Sequence, residues 1–224
     1  MVSKGGVGMT TLVLLDLDRT ILTCNSAREW IVREWKQGHI STWQLVQTIG
    51  WLSVYHWGKS DVSTFLRNAS QWMEGSKEVD LQERTHNFWM DSIRHQIRPS
   101  VYDVLEQHRS QGHVLALLTA SSNYLSDLVA VELGIPHVLS NRMEVVDTRL
   151  TGRMIEPLCF GAGKALHAER LGQQLGINWR EGYFYTDSYS DLPVLEVVAH
   201  PKVVCPDQRL EREAHKRGWD ILMW

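Results

Sequence analysis

Two hydrophobic rhythms divide the chain. Thr11 to Asp18 (TLVLLDLD) is an unbroken apolar run closed by acids, the pattern of a short strand buried on both faces. Between Ser26 and about Gln96 no comparable run occurs, and the pattern predicts helices over 26–37, 41–57, 61–74 and 77–95. Ser41, Asp61 and Ser76 serve as starts, and Gly38, Gly58 and Gly75 as stops. After Pro99 the two rhythms alternate. A helix (100–110), the strand His113–Thr119, a helix (123–133) and a short strand (His137–Leu139) come first. A hairpin of Arg142–Val146 and Leu150–Ile155, split by Asp147-Thr148, follows. Then come a helix (163–175), the strand Gly182–Thr186, a helix (190–198), the strand Lys202–Cys205, a helix (207–217) and a last strand, Trp219–Met223. Such alternation predicts right-handed βαβ crossovers, hence an α/β fold with a parallel sheet between helical layers. The all-helical stretch between the first two strands predicts an insertion, a cap above the carboxyl end of strand one.

Composition narrows the function without naming one. Lys plus Arg number 23 and Asp plus Glu 26 in 224 residues, a formal charge of −3. A polyanion binder carries a basic excess, so no nucleic-acid partner is expected. Hydrophobic residues at 43% and charged residues at 22% are ordinary globular composition, and a chain this long buries a core without disulfide or metal staples. Cys24, Cys159 and Cys205 are few, odd in number and far apart, and are expected as reduced thiols of a cytoplasmic protein. A lone Lys4 followed by glycines, with no apolar stretch before the first acidic motif, predicts no signal peptide. Lys4-Gly-Gly-Val-Gly-Met-Thr-Thr11 imitates a phosphate-binding loop. A strand follows it where a helix is needed, and Met9 stands where variant P-loops carry lysine, so it is taken as a flexible lead-in.

Candidate chemistry gathers at the predicted strand ends, where open α/β sheets bind ligands. Asp16 and Asp18 close the first strand and face one crevice as the chain turns. Two acids so close need a cation, a shared proton or separate roles. Asp187 and Asp191 follow the strand Gly182–Thr186, where helix capping is the structural alternative. Thr119 ends another strand ahead of Ala120-Ser121-Ser122, and hydroxyls with backbone N–H groups at a helix start make a seat for phosphate. Lys164 opens the helix 163–175. A cation is unfavourable there unless an anion or the aspartate cluster lies opposite.

Asp16-Leu-Asp18-Arg-Thr20, Thr119, Lys164 and Asp187-Ser-Tyr-Ser-Asp191, in this order and on these elements, resemble the four motifs of the haloacid-dehalogenase superfamily of phosphatases. Within it, the chain is similar to the subfamily IB, phosphoserine-phosphatase-like branch. The likeness extends through Leu150-Thr-Gly-Arg153 and from Cys205-Pro-Asp207 to Gly218-Trp219-Asp-Ile-Leu222. It implies a Rossmann-like three-layer α/β/α core of residues 1–24 and 97–224 and an inserted helical, C1-type cap of residues 25–96. It further implies a magnesium-dependent phosphomonoester hydrolase acting on a small organic phosphate through an aspartyl-phosphate. In that scheme Asp16 is the nucleophile, Asp18 the general acid and base, and Lys164 the catalytic cation. Thr20, Thr119, Ala120 and Lys164 bind the phosphate. Asp16, the Asp18 main-chain carbonyl and Asp187 hold Mg2+, which Ser190 and Asp191 orient. A phosphotransferase using the same intermediate is the alternative reaction, and a catalytically silent anion-binding protein the alternative class. Thr23-Cys24-Asn25-Ser26 lacks the glutamate with which phosphoserine phosphatases contact the substrate ammonium, which argues against phosphoserine itself. Arg19, where Gly is common, is read as solvent-exposed, with contact to an anionic substrate at the cap mouth as the alternative.

Seven of the ten tryptophans fall between residues 30 and 89: Trp30, Trp35, Trp43, Trp51, Trp57, Trp72 and Trp89. Trp30, Trp35, Trp43 and Trp51 are expected to fill the core of a small helical bundle. An aromatic cage for a choline-type cation is one alternative. An interfacial surface is another, because residues 40–58 carry no formal charge with His56 neutral. Their Gln and Thr residues argue against a span but leave peripheral docking on a membrane surface, with a lipid phosphate as substrate. The ten histidines show no close pair at metal-ligand helical spacing and are read as surface or core residues. The expected partner is a small phosphate ester, and the expected state a monomer or homodimer.

Overall fold

A computed structural model describes residues 10–47 and 62–224. Along the described chain run the strands β1 (Leu12–Leu15), β2 (Val114–Ser122), β3 (His137–Asn141), β4 (Met143–Val146), β5 (Arg149–Met154), β6 (Tyr183–Thr186), β7 (His200–Val204) and β8 (Asp220–Leu222). The helices are α1 (Ser26–Lys36), α2 (Val62–Gln71), α3 (Glu78–Phe88), α4 (Pro99–Ser110), α5 (Asn123–Leu133), α6 (Ala162–Leu175), α7 (Leu192–Leu195) and α8 (Gln208–Arg217), with a further helix over 42–47. Six strands form one sheet in the order β3-β2-β1-β6-β7-β8, parallel throughout, and β4 and β5 pair as an antiparallel hairpin.

Strand β1 shows why the apolar run folds as it does. All four of its residues are fully buried, and alternate side chains enter opposite layers. Val13 and Leu15 join Val101 and Leu105 of α4 and Leu125, Val129 and Leu133 of α5. Leu12 and Leu14 join Ala168 and Leu171 of α6 and Leu210 and Ala214 of α8. The result is a Rossmann-like α/β/α sandwich, and truncating a central leucine such as Leu14 to Ala would cost about 2–5 kcal/mol. Chain order runs outward from β1 through β2 to β3 on one side and from β6 to β8 on the other. The reversal between β1 and β6 opens a crevice at their carboxyl ends.

The chain leaves the sheet after β1 and returns before α4 through a paired neck. Leu22 bridges Ile97, Thr23 N–H donates to the Gln96 carbonyl (2.8 Å) and Arg98 N–H donates to the Ile21 carbonyl (2.9 Å). Beyond the neck, the connection between α2 and α3 grips the β4–β5 hairpin. Gly75 N–H donates to the Leu150 carbonyl, Leu150 N–H to the Ser76 carbonyl, and Glu78 N–H to the Thr148 carbonyl, each at 2.9 Å. The Ser70 hydroxyl donates to the Gly152 carbonyl at 2.9 Å. Tyr124, at the start of α5, donates to Glu78 Oε1 at 3.0 Å.

Several expectations shift in detail. The helix read as 77–95 ends at Phe88 and continues as looser turns to Gln96. Strand β2 runs on to Ser122, and β7 begins at His200. Of the helix read as 41–57, 42–47 is helical after Ser41, and 48–57, with Trp51 and Trp57, lies outside the described residues, as do residues 4–9. The tryptophan expectation is corrected. Trp30 packs edge-on against Phe88 (ring centroids 5.2 Å apart), but Trp35 and Trp43 are exposed, at 39% and 68%. Trp35 follows Trp30 by five residues, so at 3.6 residues per turn it lies on another face of α1. The histidines also pair more closely than expected. His108 and His113, flanking the Gly112 turn, bring their Nδ1 atoms to 2.8 Å, and His108 Nε2 lies 2.9 Å from the Tyr185 hydroxyl. Tyr183 stacks on His200 with centroids 4.3 Å apart, completing a cluster toward the amino ends of the strands. Among the described residues no helix is long and apolar enough to cross a membrane.

Candidate active site

At the opposite, carboxyl end of the sheet, β1 runs directly into Asp16, whose N–H donates to the Tyr185 carbonyl of β6 at 2.9 Å. That bond carries the parallel ladder one residue past β1 and sets Asp16 beside the end of β6, just before Asp187. The chain then turns through Leu17–Ile21, closed by Leu22 N–H donating to the Leu17 carbonyl at 2.9 Å. Asp18 lies inside this turn in extended conformation, and Arg19 is left-handed at φ 56°. Asp18 Oδ1 accepts from Ser26 N–H at 2.7 Å, tying the turn to the start of α1.

Lys164 reaches the same point from α6. Its ammonium donates to Asp16 Oδ1 at 2.8 Å and to Asp191 Oδ2 at 2.7 Å, and the side chain is 3% exposed. The helix start is built to bring it there. A Cβ on Gly163 would lie 2.0 Å from the Leu158 carbonyl oxygen, so only glycine lets the preceding loop close over this turn. The unfavourable cation at a helix start is thus compensated by two carboxylates.

Asp191 is fixed by a hydroxyl relay. Thr186 donates to Asp191 Oδ2 (2.7 Å), Ser188 N–H donates to Thr186 Oγ1 (3.2 Å), and the Ser188 and Ser190 hydroxyls lie 2.9 Å apart. Asp207 braces the loop from outside. It accepts from Tyr189 N–H (2.8 Å) while its own N–H donates to the Asp187 carbonyl (2.9 Å). On the other side of β1, Thr119 Oγ1 accepts from Ser121 N–H at 3.1 Å, which leaves its hydroxyl hydrogen to donate elsewhere. The Ala120 carbonyl accepts from Asn141 Nδ2 (2.7 Å), and Asn141 Oδ1 accepts from Cys159 N–H (2.8 Å). Buried Asn141 therefore ties the Thr119 loop to the segment that leads into α6.

The electrostatics are those of crowded acids. Burial, with the neighbouring charges of Asp16 and Asp191, pushes Asp187 up to about 8. Burial raises Asp16 despite Lys164, and burial raises Asp18 against its bonds to Ser26. Burial alone would lower Lys164, but Asp16 and Asp191 outweigh it and hold the ammonium charged. Asp191 Oδ1 is buried with no partner among the described residues. The buried cluster is short of positive charge. No three His, Cys, Asp or Glu side chains among the described residues cage an ion by themselves. Two carboxylates with a main-chain carbonyl suit a small hard cation that keeps much of its water, so the donor set fits magnesium.

The structure thus brings Asp16, Asp18, Lys164, Asp187, Ser190 and Asp191 to one crevice, with Thr119 and Ala120 on the adjacent strand end. Thr20 is fully buried in the turn, and its hydroxyl has no partner among the described residues. Sequence reasoning missed Asn141 and Thr186, whose roles arise only from which loops the fold sets side by side. Asp207 carried a visible signal as the cap of α8, where it accepts from Arg209 and Leu210 N–H.

Residues 13–196 match the model of the haloacid dehalogenase-like hydrolase family. A phosphoserine phosphatase of Mycobacterium tuberculosis is 30% identical over 162 residues, covering 72% of this chain and 53% of its own, so the chain spans about half the length of that relative. A histidinol-phosphatase of Neisseria meningitidis is 29% identical over 221 residues, covering 96% and 99%. Among solved structures, a protein of unknown function from Bordetella pertussis superposes with a TM-score of 0.87 at 26% identity, covering 96% and 99%.

Proposed function

The chain belongs to the haloacid dehalogenase-like hydrolases, and on that premise we propose that it is a magnesium-dependent phosphatase of the phosphoserine-phosphatase-like branch, acting on a small organic phosphate ester. The observation that carries this reading is the buried Lys164 ammonium held between Asp16 and Asp191 at the switch point of the sheet. It marks one carboxylate, Asp16, as pinned and aimed while its second oxygen stays unbound among the described residues. Residues 1–24 and 97–224 form the catalytic core in this proposal, and 25–96 the cap that closes over it. Relatives named as phosphatases support the reaction class, and three unpaired cysteines suit a reducing, cytoplasmic setting.

In this mechanism Asp16 attacks phosphorus and forms an aspartyl-phosphate. Asp18, held through one oxygen by Ser26 and raised by burial, protonates the departing alkoxide and then takes a proton from the water that cleaves the acyl-phosphate. Lys164 and the free Thr119 hydroxyl hydrogen hold the phosphoryl oxygens. Asp16, Asp187 and the Asp18 carbonyl would hold Mg2+, which supplies positive charge to the transferring group. Thr186, Ser188 and Ser190 keep Asp191 in place, and Asp191 in turn keeps Lys164 from collapsing onto Asp16 alone. The test is phosphate release from a panel of phosphorylated metabolites in magnesium and then in EDTA. Turnover that EDTA abolishes and magnesium restores is expected, and no turnover of any ester in magnesium overturns the proposal.

A further inference from the structure

Arg19 differs from many of the arginines of the fold. Arg33, Arg67, Arg84, Arg94, Arg153 and Arg217 each pair with a carboxylate. The Arg19 guanidinium is exposed and makes no hydrogen bond or ion pair among the described residues. Its backbone, by contrast, is held on both sides. Its N–H donates to the Cys24 carbonyl (3.0 Å), and its carbonyl accepts from Arg98 Nη2 (3.2 Å). Between those anchors it adopts φ 56° and ψ −5°, a left-handed conformation that disfavours any residue with a Cβ. Glycine would sit there without strain and keep both backbone bonds, so no contact of the Arg19 side chain among the described residues offsets the strain. The turn sets it beside the site, because Arg19 directly follows Asp18 within Leu17–Ile21 at the end of β1. The other cation of the crevice, Lys164, is buried and already committed to two acids.

We propose that Arg19 is a specificity residue that binds a second anionic group, a carboxylate or a second phosphate, carried by the phosphate ester. A guanidinium presents a rigid fork of donors that matches either group bidentately, and an unpartnered one at a cleft mouth favours esters that bring their own anion. Simple charge balance for the crowded acids would instead assist every phosphate ester alike. The inference rests on the phosphatase reading and narrows its substrate class.

The experiment compares kcat/KM within two matched pairs that differ by one carboxylate: phosphoserine with phosphoethanolamine, and 3-phosphoglycerate with glycerol phosphate. The full chain is assayed with magnesium as wild type, Arg19→Gly and Arg19→Lys; glycine relieves the left-handed strain, so the first variant keeps the fold. Wild type is expected to prefer the carboxylated member of at least one pair. Arg19→Gly should cut that preference by roughly tenfold or more, and Arg19→Lys should keep part of it. Equal slowing of both members by Arg19→Gly, an unchanged preference, no wild-type preference in either pair, or a wild-type preference for the cationic ester histidinol phosphate overturns the proposal. A wild type that cleaves none of these esters, nor p-nitrophenyl phosphate, overturns the phosphatase reading and this inference with it.

Discussion

The two ends of the one sheet solve the problem of buried titratable groups in opposite ways. At the amino end, His108, His113 and Tyr185 stay neutral and share hydrogen bonds at 2.8 and 2.9 Å, and Tyr183 covers His200 by stacking. At the carboxyl end, acids crowd one lysine, Asp191 Oδ1 has no partner among the described residues, and burial lifts Asp16, Asp18 and Asp187 together. His108 and Tyr185 are buried at one end, and Asp16, Lys164, Asp187 and Asp191 at the other. One is satisfied and contributes to stability; the other is frustrated, and its frustration is what a cation would relieve. Unsatisfied buried charge, rather than burial or polarity alone, is what separates a site from a brace.

The contrast breaks most sharply at Asp16. Asp16→Asn should lower turnover by roughly 10^4-fold or more while the thermal midpoint in EDTA holds or rises, because one of the crowded acids has lost its charge. Wild-type phosphatase rates in that variant would sink the nucleophile assignment. Lys164→Met comes next and should fail on both counts. It leaves Asp16 and Asp191 facing each other without their cation, costing about 3–5 kcal/mol in urea unfolding and roughly 10^2–10^3-fold in turnover. A variant as stable as wild type would show that the lysine is not the keystone of the cluster. The smallest effect belongs to the amino end. Burial first, then His113 and Lys202, lowers His108 from 6.5 to about 4, so the unfolded chain takes up its proton before the folded one does. Stability is therefore complete above about pH 6.5 and drains as pH falls toward 4. His108→Asn should flatten the fall of the urea midpoint between pH 7 and pH 5 and leave kcat/KM at pH 7 unchanged. A midpoint as acid-sensitive as wild type would place the effect elsewhere.

How legible each end was follows from how local its chemistry is. Asp16 and Asp18 sit two residues apart at a strand end, and Asp187 and Asp191 four apart, so short-range spacing alone exposes them. The order β1, helices, β2 was readable because an apolar run bounded by polar turns has few other uses. Asn141 and Thr186 were not readable, since an asparagine that joins the Ala120 carbonyl to the Cys159 N–H acquires that task only when β3 is laid beside β2. The histidine pair escaped for a related reason. A search at helical spacing overlooks two residues five apart that a glycine turn folds back on each other. Trp35 misled although its face was readable, since five residues at 3.6 per turn set it on another side of α1 from Trp30.

The contacts between the α2–α3 connection and the β4–β5 hairpin have a mechanical consequence. A body hung from the neck alone would swing as a door on one hinge. Here a second mooring, from Ser70 to Gly152 and from Gly75 to Leu150, lies far along the sequence from the first. A body tied down at two places turns only about the line that joins them, unless it slips a knot or drags the hairpin along.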